Sequence, residues 1–433
     1  MNILWLSHLV PYPPKGGNLQ RSYNLLRALA EKNHVFFLAF NQKFLLPTPE
    51  MVRTSVEKLK GHCDYVRVFD IPCEKRRLAW FWLLFLNLFS AHPYSVKKFL
   101  SPRMMEAVKG VVHNHKIDLV HFDTIALVQY SAYIEDSKKV LNHHNVESML
   151  LFRMAQAEKN LLKKLYLCFQ GKKLKRYEAE TIKWFDLNLV VSQPDKEEIQ
   201  SYSWDANVEI IPNGVDPEYF HISETPIRKS NLVFTGGMNW FPNRDAIIFF
   251  LEEIWPLVKK VIPDLSLTLI GHQPPEEAIS LSKKEKIEVL GFIDDVRPYV
   301  AQATAYIVPI RVGGGTRLKI LDAWACGKAV VSTSIGCEGL EVTPGRNILI
   351  GDTPGQFAEQ VIKVCADGNL RRSLGKEGRK LVEEKYSWKM IGEDLNRIYE
   401  NLISKKHQGT DSTKKSVINQ VRNFMKGPTD GNK

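Results

Sequence analysis

Short apolar runs that stop at glycine or at a polar residue, each followed by a stretch with helical spacing, recur along this chain and restrict it to a parallel α/β architecture. The first unit reads as a strand over residues 2–7, then a loop holding Pro11, Pro13, Pro14 and the Gly16-Gly17 pair. A helix over about 18–32 and a second strand over 35–40 follow. Residues 118–122, 139–144 and 186–192 are predicted as further buried strands with polar ends. The glycine spacing does not match the dinucleotide fingerprint, so a dehydrogenase is not indicated. In open α/β sheets ligands bind beyond the carboxyl ends of the strands, where His121, Asp123, His144, Asn145 and Ser192 fall.

At 433 residues the chain exceeds one ordinary core. A second strand series, over 232–237, 265–270, 287–290, 305–309 and 329–332, predicts a second doubly wound sheet. The expected organisation is a first domain over 1–192, a linker region over 193–228 centred on the turn-rich 211–216, and a second domain over 229–386. A terminal helix over 387–403, free to reach back to the first domain, and a polar tail over 404–433 complete it. That tail carries seven Lys or Arg against two Asp, nearly half of the net charge of +11, and its composition predicts disorder.

The segment 313–328 carries the strongest chemical signal. Gly313, Gly314 and Gly315 are predicted to open a helix, Thr316, Arg317 and Lys319 to lie in its first turns, and Asp322 one turn further on. Exposed N–H groups, the positive end of the helix dipole, a bidentate guanidinium and a compact ammonium together suit a phosphate or diphosphate. Asp322 is placed to accept bonds from the hydroxyls of a ribose.

The remaining charge is concentrated in Lys159, Lys163, Lys164, Lys172, Lys173, Lys175 and Arg176, with Leu161, Leu162, Leu165, Leu167 and Phe169 among them, which predicts a basic amphipathic helix. Upstream, the apolar run 78–89 contains Trp80 and Trp82. It falls short of the roughly 18–20 residues that span a bilayer and suits an interfacial helix or one buried between domains. Together these predict contact with an anionic membrane surface through Trp80, Trp82, Lys163, Lys164, Lys172 and Lys173. No nucleic-acid recognition motif accompanies the charge. The six cysteines lack paired spacing, so neither a disulfide framework nor a zinc site is expected; with no secretory signal recognised, a reducing cytoplasm fits.

Six segments in this order give the chain a family resemblance: Pro-Pro-Lys-Gly-Gly (13–17), His-Asn-Val-Glu-Ser (144–148), Ile-Pro-Asn-Gly-Val-Asp (211–216), Phe-Thr-Gly-Gly-Met (234–238), Leu-Ile-Gly (269–271) and the 313–328 segment. It resembles the retaining glycosyltransferases of the GT-B fold, family four, over nearly its whole length to about residue 403. It is most similar to bacterial transferases of polysaccharide clusters, including those associated with exosortase-type systems. The resemblance implies two Rossmann-like domains facing one cleft, a nucleotide diphosphate sugar held mainly by the second domain, an acceptor held mainly by the first, and no obligatory metal.

Carried over residue by residue, it assigns His144 to the catalytic position near the donor sugar. Gly16, Gly17, Gly237, Arg244, Gly314, Gly315, Thr316, Arg317, Lys319 and Asp322 become donor contacts. Two departures stand out. Relatives often have two glutamates eight positions apart where this chain has Gly314 and Asp322, and an Arg and a Lys where it offers only Arg244. His143, one residue from His144, is expected to face the opposite side of the sheet.

The resulting expectation is a cytoplasmic, peripherally membrane-bound retaining hexosyltransferase of exopolysaccharide biosynthesis, working without a cofactor. Its partners would be a nucleotide sugar and a saccharide or polyprenyl-linked acceptor. The alternatives are a GT-B nucleotide-sugar epimerase and a non-enzymatic basic protein that binds lipid or nucleic acid.

Overall fold

A computed structural model describes residues 1–75, 77–90 and 92–405. Two compact units emerge, one formed by Met1–Ile211 with the described residues from Gly392 on, the other by Pro212–Ile391.

The first unit is built on a seven-stranded parallel sheet of β1 (Asn2–Ser7), β2 (His34–Asn41), β3 (Tyr65–Asp70), β4 (Leu119–Phe122), β5 (Lys138–Asn142), β6 (Leu187–Val190) and β7 (Val208–Ile210), in the order β3-β2-β1-β4-β5-β6-β7. The central strands β1 and β4 are buried almost throughout, which is why they read as continuous apolar runs. Strand β3 escapes that reading because, at the sheet edge, apolar and polar residues alternate along it. The segment 193–228, expected as a linker, is corrected at its start. Ser192 caps the helix Gln193–Tyr202, its hydroxyl accepting from Asp195 N, and β7 then pairs with β6, so the first sheet continues to residue 210.

The second unit has six parallel strands, β8 (Asn231–Thr235), β9 (Ser266–Ile270), β10 (Ile287–Gly291), β11 (Ala305–Val308), β12 (Val330–Ser332) and β13 (Leu349–Ile350), in the order β10-β9-β8-β11-β12-β13. Each sheet reverses its strand order once, at β1/β4 and at β8/β11. The chain leaves the two strands there in opposite directions and opens a crevice at their carboxyl ends.

The last helix, Trp388–Ser404, contributes to the first unit from Gly392 onward. A Cβ at Gly392 would stand 2.3 Å from the Cβ of Ala28, so the missing side chain permits a close approach to the helix Gly17–Ala30. Asn396 donates to Ala28 O at 3.0 Å and accepts from Asn33 Nδ2 at 2.8 Å, and Tyr399 is fully buried. All six cysteines are free. The tail beyond residue 405, with its expected disorder, lies outside the described residues.

Candidate functional site

In the second unit the switch between β8 and β11 brings together Gly237, Lys319 and the loop ahead of Lys319, with one change of local geometry from the expectation. The glycine triplet does not open the helix. Gly313 and Gly315 have φ of 148° and 65°, outside the right-handed helical region, and the helix starts only at Leu318 (Leu318–Ala325) with Arg317 as its cap. Gly314 and Gly315 therefore form a loop ahead of the helix. Arg317 folds back over it, donating from Nη1 to the carbonyls of Gly314 and of Gly315, the latter at 2.6 Å. Thr316 is buried and accepts from Asn213 Nδ2 at 2.7 Å, which ties the 211–216 segment to this loop.

Lys319 points from the first turn of that helix toward the end of β8. Its Nζ donates to Asn243 Oδ1 at 2.8 Å and stands 4.0 Å from the ring centre of Phe234. Asn243 in turn donates to Gly237 O at 2.9 Å. Gly236 makes room for this cluster, since a Cβ there would lie 2.7 Å from Lys319 Nζ. Burial, reinforced by the charge of Arg317, lowers the Lys319 ammonium to a pKa of about 7. Asp322, on the same helix face, is pushed up to about 7 by burial, Lys319 opposing. Its buried Oδ1 has no hydrogen-bond partner among the described residues. Such an atom suits a ligand hydroxyl.

Arg244 does not join the cluster. It is exposed on the helix Phe241–Phe249, where its neighbour Asn243 is the residue that bonds Lys319. Helical rotation decides this, since adjacent residues lie about 100° apart around the axis.

In the first unit β1 and β4 run in register, with Leu6 opposite Phe122, so the residues following both strands meet. Asp123 is fully buried at the meeting point. One carboxylate oxygen accepts from Ser7 Oγ at 3.1 Å and Ser22 Oγ at 2.6 Å, the other from Asn142 Nδ2 at 3.0 Å and His144 Nε2 at 3.2 Å. Arg21 donates to Asn142 Oδ1 at 2.9 Å and stiffens the arrangement. Burial alone would raise the Asp123 carboxyl, but His144 and His121 beside it hold it well below the ordinary range. His8 lies at the edge of the cluster, its ring centre 5.9 Å from that of His144, and burial lowers it to about 4. His8, Asp123 and His144 offer ligand atoms all within 4.8 Å of one another, a grouping able to hold a cation. Against that use, Asp123 already accepts four hydrogen bonds.

The opposite facing of the histidine pair is present. His144 turns to Asp123, while His143 is buried with Nε2 3.3 Å from Asn188 Oδ1 and is lowered to about 4 by burial. The rest of the 144–148 motif is internal scaffolding. Glu147 accepts from Thr124 Oγ1 at 3.0 Å, and Ser148 bonds the buried Glu178 through both N and Oγ. Gly16 and Gly17 are exposed at the start of the helix Gly17–Ala30, Gly16 with φ 133°. The role of Asp123 was visible in the sequence only as a polar residue at a strand end.

The basic and apolar segments also differ from expectation. On the helix Leu161–Thr181 the apolar residues do not form a buried face, since Leu161, Leu162 and Leu165 are exposed together with Lys163, Lys164 and Lys172. Its buried face is made instead by Gln170, Gly171, Leu174, Tyr177, Glu178 and Thr181. Lys163 pairs with Glu158 at 2.6 Å. Lys173 is corrected as a surface cation: its Nζ donates to Asn87 O at 2.6 Å, and burial, with Lys97 nearby, lowers it to about 8. On the helix Arg77–Leu88, Trp82 and Phe85 are exposed, with Phe89 beyond its end 80% exposed. The side chain of Trp80 lies outside the described ones. Among the described residues no helix is long and apolar enough to cross a membrane.

Comparison with known proteins gives matches to both halves. The family described as Glycosyltransferase Family 4 matches residues 16–219, and that described as Glycosyl transferases group 1 matches residues 229–367. The chain is 22% identical over 400 residues to an uncharacterized 44.6 kDa protein in the cps region of Klebsiella pneumoniae, covering 90% of this chain and 97% of that one. Among solved structures it is similar to sucrose-phosphate synthase from Thermosynechococcus elongatus, with a TM-score of 0.69 at 19% identity, covering 93% of this chain and all of that one. It is also similar to HepE of Anabaena in complex with UDP-glucose, with a TM-score of 0.61 at 14% identity and the same coverage.

Proposed function

We propose that this chain, a glycosyltransferase of the GT-B fold, moves a hexosyl unit from a nucleotide diphosphate sugar to a polysaccharide or lipid-linked oligosaccharide with retention at the anomeric carbon. The observation that carries the reading is the convergence of Gly236, Gly237, Asn243, Lys319, Arg317 and Asp322 at the β8/β11 switch of one unit. The ammonium of Lys319 and the guanidinium of Arg317 would neutralise the leaving diphosphate. Gly314, Gly315 and Thr316 would approach it by their backbone, and Asp322 would take the ribose hydroxyls. Catalysis then rests on positioning and on stabilising charge at the leaving group. That the Anabaena neighbour was solved with UDP-glucose supports a donor of this class.

A panel of radiolabelled nucleotide sugars, with NMR of the anomeric product, tests this reading. Transfer or slow hydrolysis with retained configuration is expected. Free epimerised sugar nucleotide would replace the reading by an epimerase, and a chain that binds no nucleotide would end it.

No metal enters this mechanism, because Lys319, Arg317 and the helix start supply the positive field. Chelation by EDTA is therefore expected to leave transfer largely intact. Abolition by EDTA with rescue by manganese or magnesium would contradict this.

The enzyme would act at the inner face of the cell membrane, where a polyprenyl-linked acceptor is presented. Trp82, Phe85, Phe89, Leu161, Leu162 and Leu165 are exposed beside Lys164 and Lys172. Each cation near an anionic surface contributes about 1 kcal/mol, and the apolar side chains insert. Flotation with phosphatidylserine vesicles is expected to recover the protein at low salt, with loss on Trp82→Ser/Phe85→Ser and a salt-sensitive reduction on Lys164→Gln/Lys172→Gln. Wild-type protein that stays in the soluble fraction at low salt would remove the membrane from the proposal.

A further inference from the structure

We propose that Asp123 is the positioning residue of the first unit's site: its carboxylate holds His144 by Nε2–H, so that the ring presents Nδ1 as a hydrogen-bond acceptor to a hydroxyl of the bound sugar. This rests on the reading that His144 meets the donor sugar.

The argument begins with the carboxylate. Four groups converge on Asp123, and three of them, the hydroxyls of Ser7 and Ser22 and the amide of Asn142, come as donors. An ionised carboxylate has no hydrogen to give. His144 Nε2 at 3.2 Å must therefore carry the hydrogen itself.

A second imidazole addresses the same group. His121 places Nε2 3.6 Å from Asp123 Oδ1, while its Nδ1 is 2.5 Å from the hydroxyl of Tyr399 on the terminal helix, and its ring stacks on Trp5 at 3.7 Å. With Tyr399 donating to Nδ1, the Nε2–H of His121 is aimed at Asp123 as well. At 3.6 Å the His121 contact is longer than a hydrogen bond, so the carboxylate is held by donors from β1, from the first helix, from β5 and from His144, and His144 is the member whose second nitrogen is left over. That Nδ1 is buried and has no hydrogen-bond partner among the described residues. A buried ring nitrogen at the carboxyl end of a parallel sheet, held from behind by a fixed charge, is an acceptor prepared for a ligand.

Replacing Asp123 by Asn keeps the shape and reverses the logic. The new amide NH2 can donate to the ring, which favours the tautomer with hydrogen on Nδ1 and turns the presented atom from acceptor into donor.

The test is a long-range 15N–1H correlation spectrum of histidine-labelled protein near neutral pH, with His144 identified by the signals missing from His144→Gln. Wild type is expected to show hydrogen on Nε2 and none on Nδ1. Asp123→Asn is expected to shift the ring toward hydrogen on Nδ1 and to lower kcat on the order of 10²-fold or more, with KM for the donor nearly unchanged. Ser22→Ala removes a different partner of Asp123 and is expected to keep the wild-type tautomer even where it lowers thermal stability.

Hydrogen on Nδ1 in wild type, whether as the other tautomer or as imidazolium, would overturn the proposal. So would stoichiometric Zn²⁺ binding that moves the His8 and His144 signals together, since the cluster would then be a metal site. Failure of every nucleotide sugar to react, with the wild-type tautomer as expected, would count against the transferase reading and leave the role of Asp123 standing.

Discussion

Replacing His144 by alanine is expected to lower turnover by roughly 10²- to 10³-fold while changing nucleotide affinity by no more than about threefold. His144 stands with Asp123 at the β1/β4 switch, and its Nδ1 is unengaged. On the proposed reading it acts on the sugar and contributes little to holding the nucleotide. The neighbouring His143 gives the internal control. Its ring is buried against Asn188, so His143→Ala is expected to cost about 1–3 kcal/mol of stability, read as a lower melting temperature, with kcat per folded molecule largely kept. Equal losses of turnover from both variants, each folded, would sink the assignment of His144.

Lys319→Ala and Arg317→Ala are each expected to weaken binding of a nucleoside diphosphate by about 1.5–3 kcal/mol, a loss of roughly 10- to 150-fold measured by calorimetry. The two losses have different origins. Lys319 supplies charge at the end of β8, and its removal also leaves Asn243 Oδ1 without that donor. Arg317 supplies charge and also pins the Gly314 and Gly315 carbonyls, so its removal frees the loop as well.

The pH dependence separates them further. Lys319 in the free protein loses its proton near pH 7, so affinity for a diphosphate falls as pH rises above that value. Asp322, raised to about 7, is protonated below it and, on the proposed reading, ceases to be a full acceptor for a ribose hydroxyl, so affinity is expected to fall on the acid side too. A maximum near pH 7 follows, and Lys319→Arg is expected to remove the alkaline limb because a guanidinium stays charged. Affinity unchanged in the Arg317→Ala/Lys319→Ala double variant would place the diphosphate elsewhere, whereas affinity flat from pH 6 to 9 would show only that Lys319 and Asp322 do not titrate in that range.

Much of this molecule is legible in its sequence. Strands such as β1, β2 and β8 are apolar runs ended by polar or glycine residues because both faces of a parallel sheet are covered, and that burial is written locally. The edge strands β3, β7 and β13 are not legible there, because partial exposure and brevity erase the run. The residue types of 313–328 suggest a phosphate site but not the local shape, since positive φ at Gly313 and Gly315 delays the helix to Leu318. The leucines of the basic segment read as the apolar face of an amphipathic helix, whereas the chain buries the later positions around Leu174 and leaves Leu161, Leu162 and Leu165 exposed among the lysines.

By itself, then, the sequence determined the α/β class, the two strand series, the histidine pair facing opposite ways and the residue types of a candidate anion site. Each of these depends on periodicity or on the chemistry of a few adjacent residues. Tertiary structure alone decided that Asn243 rather than Arg244 meets Lys319, that Arg317 turns back on its own loop, and that Asp123 gathers Ser7, Ser22, Asn142 and His144. Ser7 and Asp123 are 116 positions apart and meet because β1 and β4 are neighbours in register, and Lys319 meets Asn243 because the loops after β8 and β11 share a switch point. Strand order and register arise from the packing of the whole sheet, and no local stretch of residues encodes them.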